Sequence, residues 1–396
     1  MRRFSVAAAA ALLVGLASAP LAAFAQGITC NSTVHCPTTA PCCSEYGFCG
    51  TGQFCLGGCQ PFSSNQPTSC KPNPVCKSYT TDFNDLSRVL LNATQYNGNA
   101  SKWDWVCECR GHPAVVVPHA HIAVEKGTLV ADPNGNGQRL TLTQSGGTLL
   151  SSTRYIHYGQ IDFTMQASKW AGVVSAAITM SDVKDEIDIE FASTPTNQVQ
   201  SNYFFLGVVN YTDNKGATHN FSGNTFTEMN TYTLNWQQDQ LQWAVNGKVL
   251  RTVTKASTLS LDGTQYKYPS TPSRIQISIW PAGLPTSAKG TIEWAGGLID
   301  WNDPDYVANG YFWNTFKSVS ISCADEGVDN TDSTVLPDTV GYSYTGNDTS
   351  DTPMVTTTNH STVLGSGAPG ALSASISLIG MTAAAAIIPA LTWSLF

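Results

Sequence analysis

Asp185-Glu186-Ile187-Asp188-Ile189-Glu190-Phe191 is the stretch from which the rest of the chain can be read. At the two-residue period of a β-strand, Glu186, Asp188 and Glu190 share one face, and Ile187, Ile189 and Phe191 share the other. Same-face neighbours on a strand lie roughly 7 Å apart, so the three acids repel one another. No Lys or Arg stands among them to relieve that repulsion. Packing alone does not select such a run, and a solvated edge strand, the plain alternative, normally mixes charge signs.

The spacing suits cleavage of a glycosidic bond. Glu186 and Glu190 place their Cα atoms about 13 Å apart on a strand, and side chains leaning inward bring the carboxyl groups to about 5 Å, the separation of a retaining glycosidase. Splayed outward, the same pair fits the wider gap of an inverting enzyme, so spacing leaves the stereochemistry open. In the retaining case one carboxylate attacks the anomeric carbon. The other, kept protonated by its neighbours' charge, gives its proton to the departing oxygen. Asp188 lies between them and is placed to share a proton or hydrogen bond with either.

The run resembles the Glu-x-Asp-x-Glu signature of glycoside hydrolase family 16. Val173-Val174-Ser175-Ala176-Ala177-Ile178-Thr179-Met180-Ser181-Asp182 before it resembles the Crh group of fungal cell-wall transglycosylases. Ile277-Ser278-Ile279-Trp280-Pro281 and Gly290-Thr291-Ile292-Glu293-Trp294-Ala295-Gly296-Gly297 extend the likeness. The resemblance implies a jelly-roll sandwich with Glu186 as nucleophile, Glu190 as general acid/base and Asp188 as their electrostatic assistant. It also implies that Gln276, Trp280 and Thr291 border the substrate cleft, with Tyr203 and Trp294 as further candidates.

Short alternating runs fill the chain from about residue 81 to residue 323, and long amphipathic helices are absent, so the expected fold class is all-β. Tyr158 to Met165, Tyr232 to Trp236 and Leu241 to Val245 read as strands, and Asn246-Gly247 marks a tight hairpin before Lys248. In Arg274 to Trp280 the three isoleucines fall on one face; Arg274, Gln276, Ser278 and Trp280 fall on the other, where a concave sheet would present them to sugar.

Met1-Arg2-Arg3, the apolar run behind it and Ala23-Phe24-Ala25 read as a signal peptide over residues 1–25. Twelve cysteines fit an oxidising compartment, and seven Asn-x-Ser/Thr sites, at Asn31, Asn92, Asn99, Asn210, Asn220, Asn347 and Asn359, agree with a glycosylating secretory route. A net charge of -8 with 12% charged residues argues against a nucleic-acid partner. Neutral polysaccharide fits better, with ten Trp, fourteen Tyr and fifteen Phe available for the core and for stacking on sugars. Residues 324–365 are rich in Ser, Thr, Asp and Asn and are expected to form an unfolded stalk. Small residues at Gly365-Ser366-Gly367 ahead of an apolar tail read as a GPI-attachment signal over 366–396, with a transmembrane anchor as the alternative.

Cys30, Cys36, Cys42, Cys43, Cys49, Cys55, Cys59 and Cys70 crowd residues 26–70, a length that disulfides rather than an apolar core must hold. A zinc reading fails on compartment and on the lack of a repeated Cys-x-x-Cys pair. Cys42-Cys43-Ser44-Glu45-Tyr46-Gly47-Phe48-Cys49-Gly50 resembles the hevein-type chitin-binding modules. That resemblance implies the pairs 30–43, 36–49, 42–55 and 59–70. It further implies that Ser44 binds an N-acetyl carbonyl and that Tyr46, Phe48 and Phe54 stack on sugar; an inert structural knot is the alternative. Residues 71–80 are expected to link this module to the catalytic domain at 81–323. Cys107 and Cys109 are too close to bridge comfortably, so each is expected to reach Cys76 or Cys323.

His119 and His121 share a strand face without a third ligand, so neither a catalytic metal nor a cofactor is expected. The expectation as a whole is a monomeric, GPI-anchored wall enzyme. Its donor is chitin, and its acceptor is a β-glucan or chitin oligomer. Two rivals are a hydrolase with the same carboxylates and a wall lectin whose acidic strand is vestigial.

Overall fold

The computed structural model describes residues 28–109, 127–192, 195–209, 214–325 and 340–365. Residues 1–25 and 366–396, expected as signal peptide and attachment signal, lie outside the described residues, as do His119 and His121.

The module holds β1 (Cys42–Cys43) against β2 (Cys49–Gly50), and a two-residue strand, β3 (Asn73–Pro74), follows it. Next come β4 (Tyr79–Asp82), β5 (Val89–Leu90), β6 (Trp105–Cys107), β7 (Leu129–Ala131), β8 (Gln138–Leu142), β9 (Thr148–Ile156) and β10 (Gly159–Gln166). The middle of the chain forms β11 (Val173–Ser181), β12 (Glu186–Phe191), β13 (Gln198–Phe204), β14 (Ala217–Asn220), β15 (Asn230–Trp236), β16 (Gln240–Val245) and β17 (Lys248–Thr254). After β18 (Ser273–Pro281) come two single-turn helices, α1 (Lys289–Trp294) and α2 (Pro304–Asn309), then β19 (Phe312–Cys323), β20 (Gly341–Asn347) and β21 (Pro353–Thr358).

Two eight-stranded sheets make a sandwich of the jelly-roll type. The front sheet runs β14-β13-β12-β11-β18-β9-β6-β5, and the back sheet runs β17-β16-β15-β10-β19-β8-β7 with β4 also on β19. The alternation of the sequence fixes which side chains meet between them. Ile187, Ile189 and Phe191 of β12 and Ile275, Ile277 and Ile279 of β18 pack into one core with Ile161, Phe163, Tyr232, Leu234, Trp236 and Trp243 of the back sheet. The back-sheet strands β10 and β15 alternate buried and half-buried residues, as one-sided burial requires, whereas every residue of β12 is buried. The outer face of the front sheet is therefore covered as well. At the β16–β17 hairpin Asn246 and Gly247 both take positive φ, 49° and 78°, the backbone that the Asn-Gly pair supplies cheaply.

Four disulfides hold the module: Cys30–Cys43, Cys36–Cys49, Cys42–Cys55 and Cys59–Cys70, the pairs that the hevein resemblance implies. The other four cysteines depart from expectation. Cys76 bonds Cys323, because β4 pairs with the end of β19 and sets the two side by side. Cys107 bonds Cys109 instead of reaching either of them. Both lie at the end of β6 in the front sheet, away from that pair, and their Cα atoms are 5.0 Å apart, within disulfide range.

The expected stalk is corrected too. Within it, β20 and β21 pair with each other, and β20 pairs with β3, so the expected linker and stalk share a small sheet. Tyr342 and Tyr344 are buried there, and Phe62 of the module meets Tyr344 edge-on at 6.0 Å. Composition suggested disorder because two aromatic anchors are few, but they dock onto a domain that is already folded and need no core of their own.

Candidate active site

The acid-bearing face is built row by row across the front sheet. Residues directly opposite on paired strands share a face, so the register places Phe204, Glu186, Met180, Arg274 and Tyr155 in one row. Asn202, Asp188, Ile178, Gln276 and Ser151 form the next, and Gln200, Glu190, Ala176, Ser278 and Leu149 the third. All three carboxylates thus point away from the sandwich core, on the outer face of β12. They are only 8%, 1% and 4% exposed for Glu186, Asp188 and Glu190.

Burial governs their acidity. It pushes Glu186 up to about 7, against the pull of Asp188 and the Lys184 ammonium. Glu190 rises to about 8, first through burial and then through the negative charge of Glu186. Asp188 is pushed well above the usual carboxylate range by burial and by both glutamates. Burial, with mutual repulsion at Asp188 and Glu190, thus holds all three toward their protonated forms. Both oxygens of Asp188 and Oε1 of Glu190 have no hydrogen-bond partner among the described residues. Buried carboxylate oxygens without a protein partner suit hydroxyls that arrive with a substrate.

Of the other candidates, Gln276 lies in the Asp188 row and donates from Nε2 to Ser151 Oγ at 3.2 Å. Trp280 and Trp294 stack with centroids 5.9 Å apart and planes 26° from parallel. Trp294 Nε1 donates to Gln200 Oε1 at 2.6 Å, which brings the indole pair to the Glu190 end of the acid row. Thr291 is buried on α1, the helix that carries Trp294. Tyr203 is a correction. It pairs with Ile187, lies in the sandwich core and faces away from the carboxylates, because an odd position on β13 points inward and its neighbour Asn202 takes the outer face.

In the module, Ser44 Oγ accepts from the Phe48 N–H at 3.3 Å, Tyr46 and Phe54 are exposed, and Phe48 is half-buried. Among the described residues the only group with metal-ligand spacing is Cys30, Cys36 and Cys43, all committed to disulfides.

Several supporting residues escaped the sequence reading. Asp185 accepts from the backbone N–H of Leu206 (2.9 Å), Ser270 (2.9 Å) and Thr271 (3.1 Å) and from Thr271 Oγ1 (2.7 Å), which ties the start of β12 to two loops. Asp182 accepts from Tyr155, Gly58 and Asn73. An acid just ahead of the alternating run was the available signal for Asp185, but its partners lie as far as 86 positions away in sequence.

Two buried glutamates with an aspartate between them and stacked indoles beside them, on the outer face of a jelly-roll β-sandwich, are the kind of residue set with which glycosidases work. The family model "Glycosyl hydrolases family 16" matches residues 119–296, and the chain belongs to that family. It is 43% identical over 317 residues to Crh-like protein 2 of Aspergillus fumigatus, covering 79% of this chain and 66% of that protein. It is also 32% identical over 336 residues to "Probable glycosidase CRR1" of Eremothecium gossypii, covering 74% of each. The chain therefore spans just under two thirds of the length of the Aspergillus relative. Among solved structures, "Crh5 transglycosylase in complex with NAG" is similar with a TM-score of 0.51 and 28% identity, covering 72% of this chain and 94% of the other.

Proposed function

We propose that this protein is a cell-wall transglycosylase that cleaves chitin with retention and passes the fragment to a β-glucan. The observation that carries the reading is the outer face of β12, where Glu186, Asp188 and Glu190 stand in one buried row at alternate positions. The carboxylate of Glu186 attacks the anomeric carbon, a glycosyl ester forms, and the glycosidic C–O bond breaks as Glu190 hands its proton to the leaving oxygen. Asp188 sits between them, where it influences the charge of both. An acceptor hydroxyl then attacks the same carbon, gives its proton to Glu190 and releases the Glu186 carboxylate. Trp280, Trp294 and Gln276 border the sugar, and Ser44, Tyr46, Phe48 and Phe54 give the module its chitin-binding face.

Transfer rather than hydrolysis draws support from the likeness to the structure titled as a transglycosylase in complex with NAG. Secretion, a GPI anchor at the outer face of the plasma membrane and a monomeric state complete the proposal. Incubation with chitin oligomers and a labelled glucan oligomer tests it, and the expected product carries the label on a chitin-extended chain. Short sugars with the label unattached would identify a hydrolase. Glu186→Gln keeps the shape and removes the nucleophile, so unchanged product formation in that variant would sink the assignment. For Glu190→Gln the expected loss in kcat is roughly 10²–10⁴-fold.

A further inference from the structure

The N-terminal module is seated on the catalytic face. Glu45, between Ser44 and Tyr46, pairs with Arg274 at 2.7 Å, with side chains 16% and 11% exposed. Lys184 Nζ donates to the Glu45 carbonyl at 3.4 Å, two residues ahead of Glu186. The Gly58 N–H donates to the Tyr155 hydroxyl at 2.9 Å and to Asp182 Oδ1 at 3.0 Å. Arg274 and Tyr155 are the far members of the Glu186 row, two and three strands from β12, or roughly 10 and 14 Å across the sheet.

Tyr46 crosses from that row to another. Its hydroxyl donates to Glu108, the residue after β6, whose own N–H donates to Leu149 O at 2.9 Å. Leu149 belongs to the Glu190 row. A side chain that the hevein resemblance assigns to sugar stacking is thus held at the β9–β6 flank of the face whose centre carries the carboxylates. It is still 54% exposed. The opposite flank, at β13, carries the Gln200–Trp294 contact. A mostly buried ion pair does little for net stability once desolvation is counted, so what this one contributes is a fixed point of contact between module and sheet. Tyr46 is the next residue after that contact and has its own bond to Glu108.

We propose that Tyr46 is a glycan-binding residue of the catalytic cleft as well as of the module, so that one β-linked N-acetylglucosamine chain occupies both. The chain crosses the strands from the Trp294 flank, over Glu186, Asp188 and Glu190, to the Tyr46–Glu108 flank. Module and sandwich then measure substrate length together, and the module is more than a tether to the wall. This inference rests on the chitin reading above.

The test is kcat/KM across a series of chitin oligomers of increasing length, for the full chain and for Tyr46→Ala and Tyr46→Phe. The expected result is a rise with length in the unaltered protein. In Y46A the ratio of longest to shortest oligomer should fall roughly tenfold, as for one stacked aromatic contact of about 1.4 kcal/mol. Y46F keeps the ring and should retain most of the rise. If Y46A binds insoluble chitin more weakly yet shows the same length dependence as the unaltered protein, module and cleft bind separately and the proposal is overturned. Calorimetric binding of the same oligomers reads the same comparison without turnover. An absence of product at every length would therefore overturn the transglycosylase reading, and the binding series would still decide this one.

Discussion

Trp243 Nε1, on the back sheet, donates a 2.9 Å hydrogen bond through the sandwich core to the backbone carbonyl of Asp188 on the front sheet. The acid row is thus pinned from behind by a residue that never reaches substrate. Trp243→Phe removes the donor and leaves a small void in the core. The expected cost is about 2–4 kcal/mol in urea unfolding. A change below about 0.5 kcal/mol would mean that the bond contributes nothing to holding β12.

Asp185 is the second anchor of that strand. Burial raises its carboxyl to about 6 even though four donors converge on it. Asp185→Ala leaves three backbone N–H groups and a hydroxyl unpaired in a buried place, so a loss of roughly 3 kcal/mol or more is expected. Because these partners position β12, kcat should fall further than KM rises. Equal changes in both would point to a general loss of folded protein, which a thermal melt would reveal.

Stability should depend on pH with a definite sign. Glu186 and Glu190 rise from an ordinary 4.5 to about 7 and about 8, so between those values the folded chain holds protons that the unfolded chain has released. The contribution is complete below about pH 4.5 and is lost as pH rises through about 7 to 8. Asp188, shifted the same way, adds to it. The expected observation is a Tm that falls across that window, by an amount of order a few kcal/mol in stability. Glu190→Gln should flatten the fall, and a Tm that rose with pH would contradict the burial argument.

The Cys76–Cys323 bond closes a loop between residues 247 apart, joining the start of β4 to the end of β19. Replacing both cysteines by Ser is expected to cost about 2–5 kcal/mol in denaturant unfolding under oxidising conditions. Mass mapping of the remaining bonds in that variant should still find Cys107 joined to Cys109. Finding either one joined to another cysteine would restore the arrangement that chain proximity first suggested.

Much of the site was legible because its signals are local. Alternation along Glu186 to Phe191 and along Arg274 to Trp280 sorted inward from outward residues, and the structure keeps that sorting on both strands. Tyr203 was misplaced because family likeness named a residue without its parity, which the pairing of β13 with β12 supplied. Cys107 and Cys109 were misjudged because two cysteines with a single residue between them can turn back on each other where a strand ends. The ordered C-terminal strands were missed because composition measures the apolar surface a segment owns, whereas Tyr344 buries itself in surface provided by others.

The chain alone determined what local periodicity and covalent spacing can carry: an all-β sandwich, a disulfide-held module and three acids on one strand face. Tertiary structure decided what depends on residues far apart in sequence meeting. It set the burial that makes Glu186 and Glu190 weaker acids, the supports from Trp243 and Asp185, and the seating of Glu45 on Arg274, 229 positions away. The physical reason is the same in each case. Desolvation and hydrogen-bond partnership are properties of a packed environment, and no side chain has them until the sheets close around it.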